Sequence, residues 1–257
     1  MKKEQLKEIT DNSINNLLDA IEQGKSEKLK TFLAFAGKFH NYSLRNQMLI
    51  FMQKRDCSRV AGYGTWKKFN RYVNKGEKGI CILAPLGAKD KETGEFEVYG
   101  FKGVYVFDVS QTSGDKLPEY KSDYIGSTNI DMDKIIESFN IKLKYDNLNG
   151  SDGKSSIGTI TIDKDLDDSK SFVVKCHELG HELLHTKDER RNLTLKQKET
   201  EAEAIAFIVS SYAGIKSDTN FSDYILSHKG DKKTIMDSLS RIKKISNEII
   251  NKIEASK

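Results

Sequence analysis

The run His177-Glu178-Leu179-Gly180-His181 has the residue types and spacing of a metal-binding HExxH motif. Residues four apart on an α-helix share one face, so the imidazoles of His177 and His181 can point at a single ion. Glu178 lies beside the first histidine, where its carboxylate can take a proton from a metal-bound water. The motif therefore predicts a zinc site, Zn2+ held by two histidines, with Glu178 as its general base.

The flanking residues favour a buried metal site over two surface histidines on an amphipathic helix. The motif follows the apolar, β-branched run SFVVKC, and Leu179, Leu183 and Leu184 continue an apolar stripe. Buried histidines need polar partners. We therefore expect the imidazoles to be held by a metal and by further polar groups.

A catalytic zinc normally has three protein ligands, so the third must come from another segment. The downstream run ETEAEAIAFIVSSYAGI has a helical pattern in which Glu199 and Glu203 share a face that otherwise looks core-facing. We expect Glu199 to be the third ligand and Glu203 to orient a histidine ring. The reverse assignment remains open, as does a solvated acidic first turn favoured by the helix dipole. Glu201 points elsewhere and is predicted to be solvated.

His185 lies four residues beyond His181 and on the same helical face, so it is a rival ligand. One further turn of a straight helix carries it past comfortable reach of an ion held by the first pair. We expect His185 to contact a ligand or to face the substrate, and an ordinary packed histidine is the open alternative.

Composition excludes several classes of protein. Of the 257 residues 31% are charged and 37% hydrophobic, with a net charge of +4, and no apolar run is long enough to cross a bilayer. Three cysteines, odd in number and unclustered, argue against a disulfide framework. These features predict a cytoplasmic protein with no membrane partner.

A basic, aromatic-rich segment extends from Lys38 to Lys78. It holds ten Lys or Arg residues against two acids, with seven aromatic residues interleaved. Basic side chains can follow a phosphate backbone while exposed rings stack on unpaired bases, so the mixture suits a binder of single-stranded nucleic acid. The open alternative is that the rings are core residues and the charges form a solvated face.

Charge and turn composition divide the chain into two domains. Residues 1–125 carry 21 basic and 16 acidic residues, and the remainder carries 21 and 22. The stretch QTSGDKLPEYKSDYIGST is poor in apolar residues and contains a proline, which favours a boundary there. We predict a basic α+β domain at 1–115, a linker at 116–127 and a second α+β domain at 128–257 that contains the metal motif.

Several blocks of the chain resemble the ArdC antirestriction family. NYSLRNQMLIFMQ, RVAGYGTWKKFNRYVNKGEKGICILAP and VFDVSQTSG are similar to successive blocks of its N-terminal single-stranded-DNA-binding domain, although Asn70 stands where glycine is usual. HELGHELLH followed by ETEAEAIAF is similar to the family's zincin-like metallopeptidase domain and to ImmA/IrrE-type peptidases. The resemblance covers roughly residues 10 to 250. It implies a bacterial protein of a mobile genetic element that binds entering DNA and counters host restriction.

The resemblance also implies residues on the DNA side of the basic domain: Tyr42, Arg45, Asn46, Trp66, Lys75 and Lys78. For Tyr42 and Trp66 a core role remains open, and Asn46 could instead bridge backbone groups. Arg45 and Lys78 are the stronger predictions, because few acids are near them in sequence to pair them if they were buried.

Three functions remain open at this point. In the first, the chain covers incoming single strands and its metal domain is structural or regulatory. In the second, DNA binding localises a zinc protease that cuts a regulatory protein substrate. In the third, a metallopeptidase uses its basic half to recognise an acidic protein surface.

Overall fold

The computed structural model describes residues 26–89, 96–117, 129–185, 193–215 and 232–256, together with residues 11, 12, 15, 16 and 19. The chain forms two compact units. The first unit comprises residues 1–17 and 45–120, and the second unit comprises residues 18–44 and 121–257. Both units contain helices and strands, so the predicted α+β fold is confirmed.

The described elements follow in chain order: α1 (Ser26–Lys38), α2 (Leu44–Gln53), β1 (Val60–Gly62), α3 (Tyr63–Lys68), β2 (Arg71–Val73), β3 (Ile80–Lys89), β4 (Phe96–Asp108), a 3-10 turn (Val109–Gln111), β5 (Thr112–Gly114), α4 (Met132–Glu137), β6 (Lys142–Asp146), β7 (Gly153–Ser156), β8 (Thr159–Asp163), α5 (Asp168–Leu184), α6 (Leu195–Tyr212) and α7 (Lys232–Ala255).

The first unit is built on an antiparallel sheet of order β1-β4-β3, with β2 and β5 paired separately. Helix α2 covers the outer edge of β3. The side-chain amide of Asn46 bonds both backbone groups of Leu83, and that of Gln53 bonds both backbone groups of Cys81. These contacts satisfy backbone donors and acceptors that an edge strand would otherwise leave unpaired.

Asp108 fixes the end of β4. Its buried carboxylate accepts hydrogen bonds from the backbone N–H groups of Ser58, Arg59 and Ser110. Burial raises the pKa of this carboxyl, but the bonds from Ser110, Ser58 and Arg59 outweigh burial and the net pKa lies below the ordinary value. Asp108 therefore joins β1, β4 and the 3-10 turn as an ionised group.

Asn70 lies between α3 and β2, at the position where glycine is usual in the family that the sequence resembles. It has a φ of 53°, in the left-handed region, which asparagine tolerates better than most residues do. Its side-chain amide donates to the carboxylate of Asp115. Asparagine therefore suits the left-handed backbone at this position.

The described residues of the second unit combine helices α1, α4, α5, α6 and α7 with a sheet of order β6-β8-β7, in which β6 and β8 are parallel and β7 is antiparallel to β8. The C-terminal segment forms the amphipathic helix α7. Its apolar residues at helical spacing are all buried: Ile235, Leu239, Ile242, Ile245, Ile249 and Ile253. Burying each such side chain contributes about 1.5–3 kcal/mol, so α7 is a principal part of this core.

Helix α1 differs from the predicted domain division. The sequence placed residues 1–115 in one domain, whereas residues 18–44 group with the second unit. The physical reason is the apolar face of α1, where Leu29, Phe32 and Leu33 are buried and the helix packs mainly on α6. Most of the predicted linker at 116–127 lies outside the described residues.

Strand β7 was not predicted from the sequence, because GKSS has neither apolar alternation nor β-branched residues. No helix in the described part of the chain combines the length and apolar character needed to cross a bilayer.

Candidate functional site

Two capped helices bring the predicted metal ligands together. Helix α5 begins after Asp167, whose carboxylate accepts from the backbone N–H of Lys170. Helix α6 begins after Thr194, which forms a reciprocal capping box with Gln197. The caps set the start of each helix, and α5 and α6 pack extensively on each other. Glu199 thereby lies opposite the two histidines of α5.

The three predicted ligand side chains form a compact triangle. The Nε2 atoms of His177 and His181 are 3.0 Å apart, and Oε2 of Glu199 is 3.4 Å from each. Ligand atoms around a tetrahedral ion with bonds of about 2.0–2.1 Å lie about 3.3 Å from one another. The donor set and its spacing therefore fit a divalent metal ion.

The pKa shifts of His181 and Glu199 favour the deprotonated forms that bind a metal, whereas the shift of His177 opposes it. Burial and the neighbouring His177 lower the pKa of His181 to about 4, so its ring is neutral. The hydrogen bond with His177 keeps the pKa of Glu199 below its ordinary value, against the effect of burial. For His177, burial lowers the pKa, but the hydrogen bond to Glu199 and the nearby carboxylates outweigh it and the net pKa is raised.

Glu178 lines an open cleft of about 350 Å³. The three predicted metal ligands, His177, His181 and Glu199, line the same cleft and are called the metal-side residues below. Burial raises the pKa of this carboxyl, and Glu199 adds to the rise, while His177 and a hydrogen bond with Ser155 oppose it. A carboxyl with a raised pKa holds a proton more readily, which is what a general base needs.

Strand β7 forms one wall of the cleft through Gly153, Lys154 and Ser155. The absence of a side chain at Gly153 is required here. A Cβ at that position would lie 2.6 Å from Cγ1 of Val174 and 3.0 Å from both Cγ and Oε1 of Glu178. Glycine therefore lets β7 approach the motif helix closely enough for Ser155 to reach Glu178.

His185 leaves the helical path and contacts a predicted ligand. Helix α5 ends at Leu184, and Nδ1 of His185 lies 3.1 Å from Nδ1 of His181, on the ring edge away from the triangle. This is the ligand-contacting role that the sequence left open for His185.

Glu201 is the partner that the sequence analysis missed. It is 0% exposed, its Oε2 lies 3.4 Å from Nε2 of the 1% exposed His185, and its Oε1 accepts from Arg241 on α7. Burial raises the pKa of Glu201, but bonds from His185, Arg241 and Ser238 outweigh it and lower the net value. The prediction that Glu201 is solvated was wrong, because its helical face meets α7 and not solvent.

The ionised carboxylate of Glu201 determines which ring nitrogens donate and which accept in the contacts that join Glu201, His185 and His181. Glu201 can only accept, so Nε2 of His185 carries the donated proton. A neutral His185 then has a lone pair on Nδ1, which accepts from Nδ1–H of His181. The lone pair of His181 is thereby left on Nε2, the atom that faces His177 and Glu199.

Glu203 lies half-buried one turn beyond Glu199, and its charge contributes to the raised pKa of His177. It is not part of the triangle of potential ligand atoms. Lys154, Ser155 and Lys198 also line the cleft but had no signal in the sequence.

The predicted DNA-side residues fall into two groups. Arg45, Lys75 and Lys78 are exposed on the first unit. Asn46 is buried against β3, and Trp66 is 3% exposed and donates from Nε1 to the carbonyl of Phe107. These two residues have the fold-supporting roles that the sequence left open.

Tyr42 belongs to the second unit, where it is half-buried and its ring lies 6.1 Å from that of Phe39. Burial raises the pKa of its hydroxyl. Its surroundings also favour the core role over base stacking.

Comparison with protein families matches residues 3–116 to the N-terminal domain of anti-restriction factor ArdC. An uncharacterised protein of Bacillus anthracis is 25% identical over 308 residues, an alignment that covers 98% of this chain and 52% of that protein. The chain therefore spans about half the length of the curated relative it matches.

Two crystal structures of the antirestriction ArdC protein from the R388 plasmid have the same fold. The metal-free structure has a TM-score of 0.60 at 16% identity, covering 96% of this chain and 98% of that one. The Mn(II)-bound structure has a TM-score of 0.57 at 16% identity, covering 95% and 97%. The predicted resemblance to ArdC is confirmed by the domain match and by this shared fold.

Proposed function

We propose that this ArdC-type chain is an antirestriction protein of a bacterial mobile genetic element. In this proposal the first unit binds single-stranded DNA as it enters the cell, and the second unit carries a zinc metallopeptidase-like site. The observation that carries the proposal is the triangle of His177, His181 and Glu199 beside Glu178, in a chain with the ArdC fold.

The donor set favours zinc. Two imidazoles and one carboxylate are the ligands of several catalytic zinc sites, which leave a fourth position open. Zinc bound there would supply a water whose pKa is lowered toward about 7, and would polarise a carbonyl. In this assignment neither Glu203 nor His185 binds the metal. Glu203 acts on His177 through its negative charge.

The chain's own residues provide proton transfer and substrate placement. The carboxylate of Glu178 takes a proton from the water that attacks the peptide carbonyl and retains it because burial raises its pKa. It then passes this proton to the amine that leaves when the C–N bond breaks. Strand β7 is the edge of its sheet, where an extended peptide could add as another strand. A protein segment in this position would lie across the cleft beside Glu178.

Charge supports the DNA-binding role of the first unit. Residues 45–89 and 96–117 carry 12 basic and 5 acidic residues, a net charge of +7. Lysines and arginines that neutralise phosphates release condensed counterions, which drives binding to single strands. Arg45, Lys75 and Lys78 are the exposed cations assigned to this contact.

Elemental analysis tests the metal assignment. The purified chain should contain about one zinc per molecule, Glu199→Ala should lose it on dialysis, and Glu203→Ala should retain it. Manganese in place of zinc would contradict the zinc assignment. Retention by the first variant and loss by the second would reverse the roles of the two glutamates.

Antirestriction itself is tested by transferring unmodified DNA into a restricting recipient. We expect more transconjugants when the chain is expressed, and an unchanged yield in a non-restricting recipient. Equal transfer with and without the chain in the restricting cells would contradict the proposal.

The alternative is a protease that cleaves a regulatory protein, with the basic unit used for targeting. The buried, Ser155-bound Glu178 in a metal cleft is the observation that favours it. Glu178→Gln should abolish peptide hydrolysis while retaining metal. If this variant still protects DNA, protection depends on covering DNA; if protection is lost, proteolysis is the function.

A further inference from the structure

One face of the sheet in the first unit exposes aromatic rings at the spacing of a strand. In β4, Val104 and Val106 pair with Ile82 and Ile80 and form the inner face of the hairpin. Residues of the other parity point outward, and among them Phe101 is 58% and Tyr105 is 53% exposed.

The two rings flank one intervening position of the same face. Phe101 and Tyr105 are four residues apart on one strand, which places them about 13 Å apart. Gly103 lies between them and pairs with Leu83 of β3. Tyr99, at a bulge in the pairing two residues before Phe101, is also 75% exposed.

A lysine loop adjoins this face. The backbone of Gly79 approaches the ring of Tyr105 so closely that a Cβ at position 79 would lie 2.9 Å from Cβ of Tyr105 and 3.1 Å from Cζ of Phe107. Lys78 and Lys75 precede Gly79 in the same loop and are exposed. The loop that carries the two lysines therefore adjoins the aromatic face at Tyr105.

Gln111 fixes the backbone of this lysine loop and pairs with its acidic residue. The side-chain amide of Gln111 donates to the carboxylate of Glu77 and to the carbonyl of Lys78. Glu77 is the only acid in this loop, and neither Lys75 nor Lys78 forms an ion pair with a described residue. Two positive charges are thus presented to solvent next to exposed rings.

We propose that Phe101 and Tyr105 form a stacking surface for the bases of single-stranded DNA, while Lys75 and Lys78 hold the adjoining phosphates. The inference rests on the proposed DNA-binding function and adds the face that binds. Two features on one face select this occupant. Exposed rings match the flat faces of unpaired bases, which a duplex keeps stacked internally, and the adjoining loop and the net charge of the unit complement a polyanion.

The test measures binding of the full-length chain to a fluorescein-labelled 20-mer of thymidine and to the same sugar-phosphate chain without bases. In the unmodified protein we expect removal of the bases to weaken binding at least about tenfold, because stacking contributes at each base. Phe101→Leu/Tyr105→Leu should weaken binding to the thymidine strand by a similar factor. Base removal should then cost this variant less than about twofold further.

The matched control is Tyr145→Leu, which removes a half-exposed ring from the second unit. It should leave both affinities unchanged. Lys75→Gln/Lys78→Gln should reduce the slope of log affinity against log salt by about 1.4, since each phosphate contact on a single strand contributes about 0.7. The aromatic variant should leave this slope unchanged.

Several outcomes would overturn the proposal. One is an aromatic variant that binds the thymidine strand as tightly as the unmodified chain; another is an unmodified chain that binds strands with and without bases equally. The second result stands even if the double variant fails to fold. Loss of self-association by the aromatic variant, with DNA affinity intact, would instead make this face a contact between copies of the chain.

The failure of this inference is distinguishable from failure of the proposed function. If the unmodified chain shows no salt-dependent affinity for single strands, the DNA-binding function is wrong. If it binds and only the ring variants have no effect, the function stands and the face is elsewhere.

Discussion

Glu201 determines which nitrogen of His181 is available to a metal. As an ionised acceptor it fixes the proton of His185 on Nε2, and His185 in turn accepts from Nδ1–H of His181. Arg241 supplies the opposite charge that keeps Glu201 ionised in a fully buried position. These contacts leave the lone pair of His181 on Nε2, the atom that a metal would require.

Glu201→Gln should weaken metal binding by about 10- to 100-fold, the effect typical of removing a group that orients a metal ligand. The neutral amide no longer balances Arg241 and can present either its oxygen or its nitrogen to His185. Affinity is measured by competition with a chromogenic chelator. Glu137→Gln, an exposed glutamate of the second unit, is the control and should not change the affinity. Unchanged metal binding in the Glu201 variant would show that this contact does not position His181.

The sequence predicted the residues of the triangle but not the groups that hold them. His177, Glu178 and His181 lie within five residues, and Glu199 is identified by a helical face, so local spacing was sufficient. The role of Glu201 depends on Arg241, which is 40 residues away on another helix, and on the point at which α5 ends. No local pattern carries that information.

At the scale of elements, the close packing of β7 on α5 requires that Gly153 has no side chain. Gly153→Ala would place a Cβ 2.6 Å from Val174, a branched side chain that cannot swing away. We expect a loss of about 1–3 kcal/mol in the free energy of unfolding, measured by denaturant titration of the far-ultraviolet circular dichroism. Gly64→Ala, where nothing lies within 4 Å, is the control and should raise it by no more than about 1 kcal/mol, because alanine restricts the unfolded chain. A variant at Gly153 as stable as this control would contradict the close packing.

Asp108 gives the first unit a dependence on pH. Its pKa is lower in the folded state than its ordinary value of 3.8, so its stabilisation is present above that value and is lost as pH falls through the folded pKa. Asp108→Asn should reduce the free energy of unfolding by about 1–3 kcal/mol at pH 7, since a charged acceptor of three N–H groups is removed. The difference between variant and unmodified chain should shrink toward pH 3.

Asp56→Asn is the control for this measurement, because Asp56 is exposed and contacts only Lys54 among the described residues. It should leave unfolding at pH 7 nearly unchanged. A difference at Asp108 that stays constant from pH 7 to pH 3 would show that charge is not the source of its effect.

Elements with strong periodicity could be predicted from the sequence, and those without it could not. The isoleucines of α7 recur at helical spacing and were all found buried. Strand β7 has four small or polar residues, and its place is decided by pairing with β8 and packing on α5. Asn46 and Trp66 show the same limit, because composition alone does not distinguish a buried amide or indole from an exposed one.

For the whole molecule, the distribution of charge predicted two domains. It did not predict that a segment of the basic half folds with the second unit. Helix α1 lies in the N-terminal, basic part of the sequence, yet its apolar face packs on α6 of the second unit. The division into units is therefore discontinuous in sequence. A contiguous cut at residue 115 would remove α1 from the core to which it contributes.

This division predicts that metal and DNA bind independently. The metal-side residues and their partners Glu201 and Arg241 all belong to the second unit, whereas the aromatic face and its lysine loop belong to the first. Removing metal with a chelator should therefore change the affinity for single-stranded DNA by less than about twofold. It should lower the thermal stability of the second unit, because a ligand at 1,000 times its Kd contributes about 4 kcal/mol. Glu199→Ala should reproduce both results without chelator, and a large loss of DNA affinity in either experiment would show that the two sites are coupled.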